Sequence, residues 1–251
     1  MNPSAPRLEG QVARRILVNC RTRPGNLAHL LPAPLRPQIV EGQAIFGLCW
    51  IRLESVRLAG WPRWTGLAMD NLAHRIAVEW TEAGQVRTGV HIFRRETSLG
   101  LAAWTSGRVV PGPMNHGLFD ARETGDAWNL DLRTPDAEAD VDLATRTADR
   151  VPSDSVFHSM EGLRSFLEAG AVGWSANRTG DRIEAMHMAV ERFQVHPLEV
   201  RHLRCRWFER QLGDSEWSVD SAVRMEPTGV RWMRAGAFAT AGRDRADVTI
   251  P

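Results

Sequence analysis

Two alternating segments joined by a short loop constrain the fold of this chain more than any other feature. The first, AHRIAVEW, places Ile76 and Val78 on one face of a strand. The opposite face carries Arg75, Ala77 and Glu79. The loop TEAGQ follows, and VRTGVHIFRRE then returns with the same period of two. Strands joined by so short a glycine-containing loop pair antiparallel, so this region is predicted to be a β-hairpin.

Similar short strand candidates recur from RRILVNC near the start to WSVDSAVRMEP near the end. SMEGLRSFLEAG has helical spacing instead, with Ser159 as its N-cap and Gly170 as its stop. GNLAHLLPAPL predicts a shorter helix that ends at Pro32. About ten strands with two or three helices predict an α+β domain, mainly antiparallel, with a strongly curved sheet or β-barrel.

Two later segments carry specific expectations. IEAMHMAVERFQVHPLEVRHLRCRWFERQ is predicted to be strand, broken at Pro197, and DAEADVDLATR a solvated strand pair. The sequence has no internal repeat and no compositional break. Residues 1–251 are therefore predicted to form a single domain.

Composition excludes several kinds of chemistry. All 31 basic residues are arginine, because the sequence contains no lysine, and it contains no tyrosine either. A chain without lysine has no side-chain amine to form a Schiff base with a carbonyl substrate or with pyridoxal phosphate, and it has no P-loop lysine. GxGxxG patterns are also missing, and no cofactor is expected. The eight histidines lack ligand spacings such as HExxH, so no metal is expected.

The expected partner is a small molecule. A formal net charge of +1 does not favour nucleic acid or an anionic membrane. No apolar run approaches the roughly 20 residues of a spanning helix, and no signal-peptide core follows the first residues. Cys20, Cys49 and Cys205 are odd in number and widely spaced, as expected for reduced thiols in the cytoplasm. The oligomeric state, including a homo-oligomer, stays open.

The strand GVHIFRRETS carries an arginine on each face. Strict alternation places Arg94 with Val90 and Ile92, and Arg95 on the opposite face. One interpretation is an arginine–glutamate pair at a solvated sheet edge. The other is an arginine directed into a barrel mouth, where its planar group would bind a carboxylate.

Arg75 and Glu79 on the neighbouring strand also have two interpretations. If both face a cavity, Glu79 is a candidate general base, and Arg75 would lower its pKa. A cross-strand ion pair is the alternative.

The stretch SGRVVPGPMNHG, residues 106–117, brings Arg108, Asn115 and His116 together between two predicted strands. Its prolines and glycines predict a chain reversal. The same residues would also suit the rim of a site. Arg108 and Asn115 are then candidates for binding substrate, and His116 for proton transfer.

Several of these phrases together resemble the domain-of-unknown-function 2071 family, which looks like a branch of the acetoacetate decarboxylase-like superfamily. They run from LLPAPLRP and EGQAIFGLCWIRL through HRIAVEW, GVHIFRRETS and SGRVVPGPMNH to SVFHSMEGLRSFLEAGAVGWSANR and FQVHPLEVRHL. The resemblance covers residues 10–235, the expected core of the domain. It implies an antiparallel barrel-like sheet with a central cavity and short helices.

The resemblance also shows what is missing. Acetoacetate decarboxylases carry their catalytic lysine in a phrase like Gly-Arg-Glu-x-x-Gly-Phe-Pro-Lys-Lys. GRVVPGPMNH keeps Arg108 and both glycines and has Val109 in place of the glutamate. Asn115 and His116 replace the two lysines. Decarboxylation through a lysine imine therefore cannot be carried over.

The sequence predicts a cytoplasmic protein whose barrel cavity binds a small, carboxylate-bearing molecule. The expected anion ligands are Arg75, Arg94, Arg95 and Arg108, with Asn115 beside them. Glu79 and His116 would move protons if the protein is an enzyme, a lyase or isomerase acting on an oxo acid without an imine. The alternatives are a non-catalytic sensing or carrier domain, and a structural or interaction protein whose barrel is filled by its own tryptophans.

Overall fold

The structure, a computed structural model, describes residues 8–107, 111–213 and 215–240. In these ranges the chain forms fifteen strands and four short α-helices, with a 3-10 turn at Arg63–Thr65. The strands are β1 (Leu8–Thr22), β2 (Arg36–Pro37), β3 (Ile39–Val40), β4 (Gln43–Leu58), β5 (Leu67–Glu82), β6 (Gln85–Thr97), β7 (Asn115–His116), β8 (Leu118–Thr124), β9 (Ala127–Arg133), β10 (Val141–Thr147), β11 (Val172–Ala176), β12 (Arg182–Val190), β13 (Val195–Cys205), β14 (Trp217–Met225) and β15 (Thr228–Ala239). The helices are α1 (Gly25–Ala28), α2 (Gly100–Thr105), α3 (Met160–Ala169) and α4 (Arg206–Leu212).

Seven of these strands close into a ring. The pairs are β1–β4, β4–β5, β5–β6, β6–β11, β11–β12, β12–β15 and β15–β1. Only β6–β11 is parallel, and it joins two residue pairs. Strands β14, β13, β10, β9 and β8 continue the sheet outward from β1. The predicted α+β fold, a mainly antiparallel curved sheet with few helices, is confirmed.

The hairpin predicted from the alternating segments is β5–β6. Glu82 pairs with Gln85 across the two turn residues Ala83 and Gly84. Both turn residues have positive φ, 49° and 76°, which matches the twist of the strands on either side.

The long strand β4 separates two layers of the core. Phe46, Leu48 and Trp50 face one cluster, which β9, β10, β13 and α4 cover. Cys49 and Ile51 face the other, which includes Leu163 and Leu167 of α3. Both faces of β4 are therefore buried, which explains why its sequence is almost continuously apolar.

The predicted helix at residues 159–170 is α3. Its N-cap Ser159 accepts a hydrogen bond from the amide of Gly162 at 3.1 Å. Leu163 and Leu167 are buried, and the helix ends before Gly170. The helix predicted before Pro32 is shorter than expected, because α1 holds only Gly25–Ala28.

Three predictions near the C-terminal half were wrong. The segment RWFERQL is helix α4 rather than strand, and it buries Trp207 and Phe208. Pro197 lies within β13, opposite Val223 of β14, and the chain reverses before it, between β12 and β13. DAEADVDLATR supplies one strand, β10, because Asp140 accepts from the amide of Thr134 and closes the preceding residues into a turn.

Candidate functional site

The ring encloses a cavity of about 470 Å³. Every one of the seven ring strands contributes lining residues, and α2, α3 and the 3-10 turn complete the wall. Most of the lining side chains are aliphatic, aromatic or methionine. A volume of this size suits a small organic ligand.

Three arginines line the cavity, and they belong to neighbouring rows, where a row is a set of residues paired side by side across the strands. In one row Arg15 of β1 lies opposite Ile51 of β4. In the next, Arg95 of β6 lies opposite Ala73 of β5. Arg75 occupies the following inward position of β5. Alternate residues of a strand face the same side, so all three side chains point inward. Because their rows are adjacent, the three guanidinium groups lie at the same end of the cavity.

These guanidinium groups have neutral partners. Arg75 donates from Nη2 to Oδ1 of Asn19 at 2.7 Å, and Arg95 donates from Nη1 to the carbonyl of Pro111 at 2.5 Å. Arg15 donates from Nε to Sγ of Cys49 at 3.3 Å. Among the described residues, no carboxylate lies within 4.0 Å of any of the three. Their positive charge is therefore left uncompensated at the cavity.

Burial makes this charge unfavourable. Arg75 is only 7% exposed, and burial, with a smaller contribution from Arg15, lowers its pKa to about 10. Burial likewise lowers the pKa of Arg95 to about 10. Both groups still carry a full charge at neutral pH. A buried cation without an anionic partner is rare in folded proteins, and such groups concentrate at functional sites.

Two unpartnered polar atoms accompany the arginines. Nε of Arg75 has no hydrogen-bond partner within the described ranges, and neither has Oδ1 of Asn71. Both residues line the cavity and are more than nine-tenths buried. Such atoms are unfavourable when left dry, and a bound polar group would satisfy them.

A β-bulge decides which arginine of β6 reaches the cavity. His74 pairs with Arg94, but Arg75 pairs with Ile92, so Phe93 is an extra residue in β6. The face prediction for this strand was therefore wrong beyond Ile92. Arg95, rather than Arg94, shares the cavity side with Ile92.

Arg94 is held on the other side of the sheet by carboxylates. Its Nε donates to Glu96 at 2.5 Å, and its Nη2 donates to Asp136 at 2.8 Å. A third carboxylate, that of Glu138, lies 3.4 Å away. This arrangement contains the arginine–glutamate pair considered for this strand, but the pair is largely buried rather than at a solvated edge, and two further acids extend it.

Three further predicted site residues, Glu79, Asn115 and His116, lie apart from the cavity lining. Glu79 accepts from Nε of Arg36 at 2.7 Å, which is the ion-pair alternative with a different arginine. Asn115 and His116 form β7, are exposed, and pair with Glu96 and Thr97 at the end of β6. Arg108 lies outside the described residues.

Some described residues of the stretch 106–117 do lie at the cavity. Ser106 and Met114 line it, and the carbonyl of Pro111 binds Arg95. Gly112 has φ +82°, and a Cβ there would lie 2.7 Å from Cβ of Ser175. The glycine therefore allows the turn to pack tightly beside Arg95.

Sequence reasoning missed Arg15, Cys49 and Asn71. All three line the cavity. Arg15 precedes an apolar run and looks like an ordinary surface arginine, whereas Cys49 and Asn71 look like core and edge residues. Only the register of β1, β4 and β5 brings them into one place.

Neither a metal-ion cluster nor a helix that could span a membrane is present in the described part of the chain. The described residues contain no group of three or more histidine, cysteine, aspartate or glutamate side chains placed to hold a metal ion. None of the described helices is both long and apolar enough to cross a membrane.

Comparison with known proteins gives one family and one fold. The model of the family DUF2071, described as an uncharacterized conserved protein, matches residues 11–227. No curated protein matches the sequence.

Among solved structures, acetoacetate decarboxylase from Legionella pneumophila is similar with a TM-score of 0.61 and 11% identity, over 95% of this chain and 91% of that one. An acetoacetate decarboxylase-like enzyme from Sphingomonas wittichii RW1 is similar with a TM-score of 0.60 and 12% identity, over 95% of both chains. The enduracididine biosynthesis enzyme MppR complexed with pyruvate is similar with a TM-score of 0.60 and 9% identity, over 95% of this chain and 91% of that one. At such identities the likeness establishes the fold.

Proposed function

Because the chain belongs to the DUF2071 family and has the acetoacetate decarboxylase-like fold, we propose that it binds a small carboxylate-bearing organic molecule inside its ring of strands. Arg75 and Arg95 would hold the carboxylate, with Arg15 beside them. One observation carries the proposal: these cations line a cavity and have no carboxylate within 4.0 Å among the described residues. An organic anion would supply the missing charge.

The solved relatives are consistent with this proposal. One of them, MppR, is complexed with pyruvate, a small carboxylate. A chain without lysine has no side-chain amine to form an imine with such a ligand. Recognition here would therefore be ionic and hydrogen-bonded, and the ligand would keep its carbonyl group, if it has one.

Binding without turnover is the form of the proposal that the geometry favours. Glu79 and His116 stay candidates for proton transfer, yet neither is among the residues that line the cavity in the described ranges. A sensing or carrier role needs only the arginine end. The alternative of a barrel filled by its own tryptophans is disfavoured by the cavity of about 470 Å³. We place this role in the cytoplasm, where the three buried cysteines, all free, would stay reduced.

Calorimetric titration of Arg75→Gln and Arg95→Gln with a panel of monocarboxylates tests this function. Losing one partner of a buried charge-assisted contact should weaken binding by about 30-fold or more. Arg87→Gln is the matched control, since it removes the same charge from an exposed part of β6. Mass spectrometry of small molecules released from the purified protein by acid should show a carboxylate. Equal binding by the wild type and both cavity variants would overturn the proposal.

A further inference from the structure

The distribution of polarity along the cavity points to a particular kind of carboxylate. From the arginine rows the cavity continues along β4 and β5 past Leu53 and Met69 to Val56 and Leu67. Leu67 is 39% exposed, whereas Arg75 at the far end of the same wall is 7% exposed. The cavity therefore runs from a buried cationic end to an apolar mouth.

The mouth itself is built of apolar side chains. Trp61 and Leu101 line it and are 56% and 53% exposed. Exposed apolar groups that continue the wall of a cavity mark a path for an apolar ligand. At about 3.3 Å per strand residue, Ala73 and Leu67 are roughly 20 Å apart along β5. This length greatly exceeds a short oxo acid.

A fourth arginine at the mouth does not change this polarity. Arg57 lines the cavity there, but its Nη2 lies 2.7 Å from a carboxylate oxygen of Glu9. It also donates to the carbonyl of Trp61 at 3.0 Å. Since Arg57 is already neutralised, the uncompensated charge is confined to the inner end.

The opposite wall is also apolar. Val90 and Leu167 line it, together with Met186, Met188 and Trp232. Methionine side chains are flexible and adapt to varied apolar shapes. Water in such a space finds few polar partners, so a short acid bound to the arginines would leave this part of the cavity poorly solvated.

We propose that the ligand is an amphiphilic monocarboxylate, with its carboxylate at Arg75 and Arg95 and a medium-length apolar chain extending past Met69 toward Leu67 and Trp61. This inference rests on the proposed function, because it assumes that the anion binds at the same arginines. It adds the class of ligand and its direction in the cavity.

Titration of the dialysed protein with butanoate, hexanoate, octanoate and decanoate tests the proposal, with the primary alcohol of each length as the uncharged control. Burial of each methylene should tighten binding about fourfold, or about 15-fold for each two-carbon step. The alcohols should bind far more weakly than the acids. Tryptophan fluorescence gives a second readout, because Trp61 and Trp232 line the cavity.

Variants at the two ends separate the two proposals. Met69→Ser should reduce the gain from the longest chains and leave butanoate unchanged, because Met69 lines the cavity about 13 Å along β5 from Ala73, near the end of an extended decanoate chain. Met233→Ser is the control, since Met233 is exposed and is not a lining residue, and it should change neither. Arg75→Gln should weaken every acid. Pyruvate is added to the panel as a short oxo acid. If all the acids bind the wild type equally well and all depend on Arg75, the proposal of an amphiphilic ligand is wrong and the proposed function stands. If no acid binds, or if alcohols bind as tightly as acids, both are wrong.

Discussion

Arg75 and Arg14 are two arginines with nearly the same burial, and replacing each by methionine should have opposite effects on stability. Arg75 is 7% exposed and has no carboxylate partner among the described residues. Arg14 is 8% exposed, forms an ion pair with Asp70 at 2.7 Å and another with Glu123, and its guanidinium stacks over Trp50. The comparison isolates the effect of pairing.

The magnitude for Arg75 follows from its pKa. Lowering this pKa from the usual value of an arginine to about 10 corresponds to about 3 kcal/mol of unfavourable free energy for the charged form. The folded protein holds this proton less tightly than the unfolded chain, so the penalty is complete at any pH below about 10. Arg75→Met removes it but also removes the hydrogen bond to Asn19, which contributes about 2 kcal/mol. We therefore expect a net gain of about 1 kcal/mol.

Arg14→Met should have the opposite effect, because it breaks buried ion pairs. Removing one partner of such a pair costs about 3 kcal/mol or more. Thermal unfolding at pH 7 measures both variants, with an expected rise of about 2–4 °C for Arg75→Met and a clear fall for Arg14→Met. Octanoate at saturation should raise the melting temperature of the wild type and leave that of Arg75→Met unchanged. If Arg75→Met is destabilised as strongly as Arg14→Met, then Arg75 is compensated in the folded protein and the reasoning fails.

Three further predictions concern the scaffold. Burial, with a smaller contribution from Arg95, lowers the pKa of His91 to about 4, so folding favours the neutral imidazole. About 3 kcal/mol of stability that is present above pH 6.5 should therefore be lost as the pH falls to 4. In urea unfolding, the stability of His91→Leu should depend less on pH than that of the wild type, and an unchanged pH dependence would contradict the assignment. Gly47→Ala should cost about 3 kcal/mol or more, because a Cβ there would lie 1.9 Å from the carbonyl oxygen of Val18, whereas Gly25→Ala, with open space around it, should be near neutral in the same urea titration. Ser159→Ala should cost about 1 kcal/mol through the lost N-cap of α3, and no change in its melting curve would show that the cap is dispensable.

Much of the fold was predictable because the strands here follow local rules. The hairpin at Ala83 and Gly84 is specified by two turn residues, and α3 by its cap and apolar stripe. The helix α4 could not be predicted from local rules, because RWFERQL directly follows a strand segment. Its helical state is fixed by burial of Trp207 and Phe208. Tertiary packing there overrides the local pattern.

The site was predictable only in part. Arg75 and Arg95 were identified as anion ligands from residue type and strand position, and the structure brings both to the cavity, where their role is a proposal. The sequence could not show which of Arg94 and Arg95 faces the cavity, because the bulge at Phe93 reverses the alternation and leaves no local signature. Arg15 was missed because its contribution depends on the pairing of β1 with β4, more than 30 residues away along the chain.

The parallel junction between β6 and β11 sets how firmly the ring is closed. It consists of two residue pairs, Gly173 with Val90 and Trp174 with His91, whereas β1 and β4 pair along almost their whole length. A closed ring opens first where the fewest hydrogen bonds must break, so this seam should have the lowest local unfolding free energy of the seven. Val90 and Gly173 also line the cavity. The wall of the cavity that exchanges its amide protons fastest should therefore be this side wall, and bound ligand should slow that exchange.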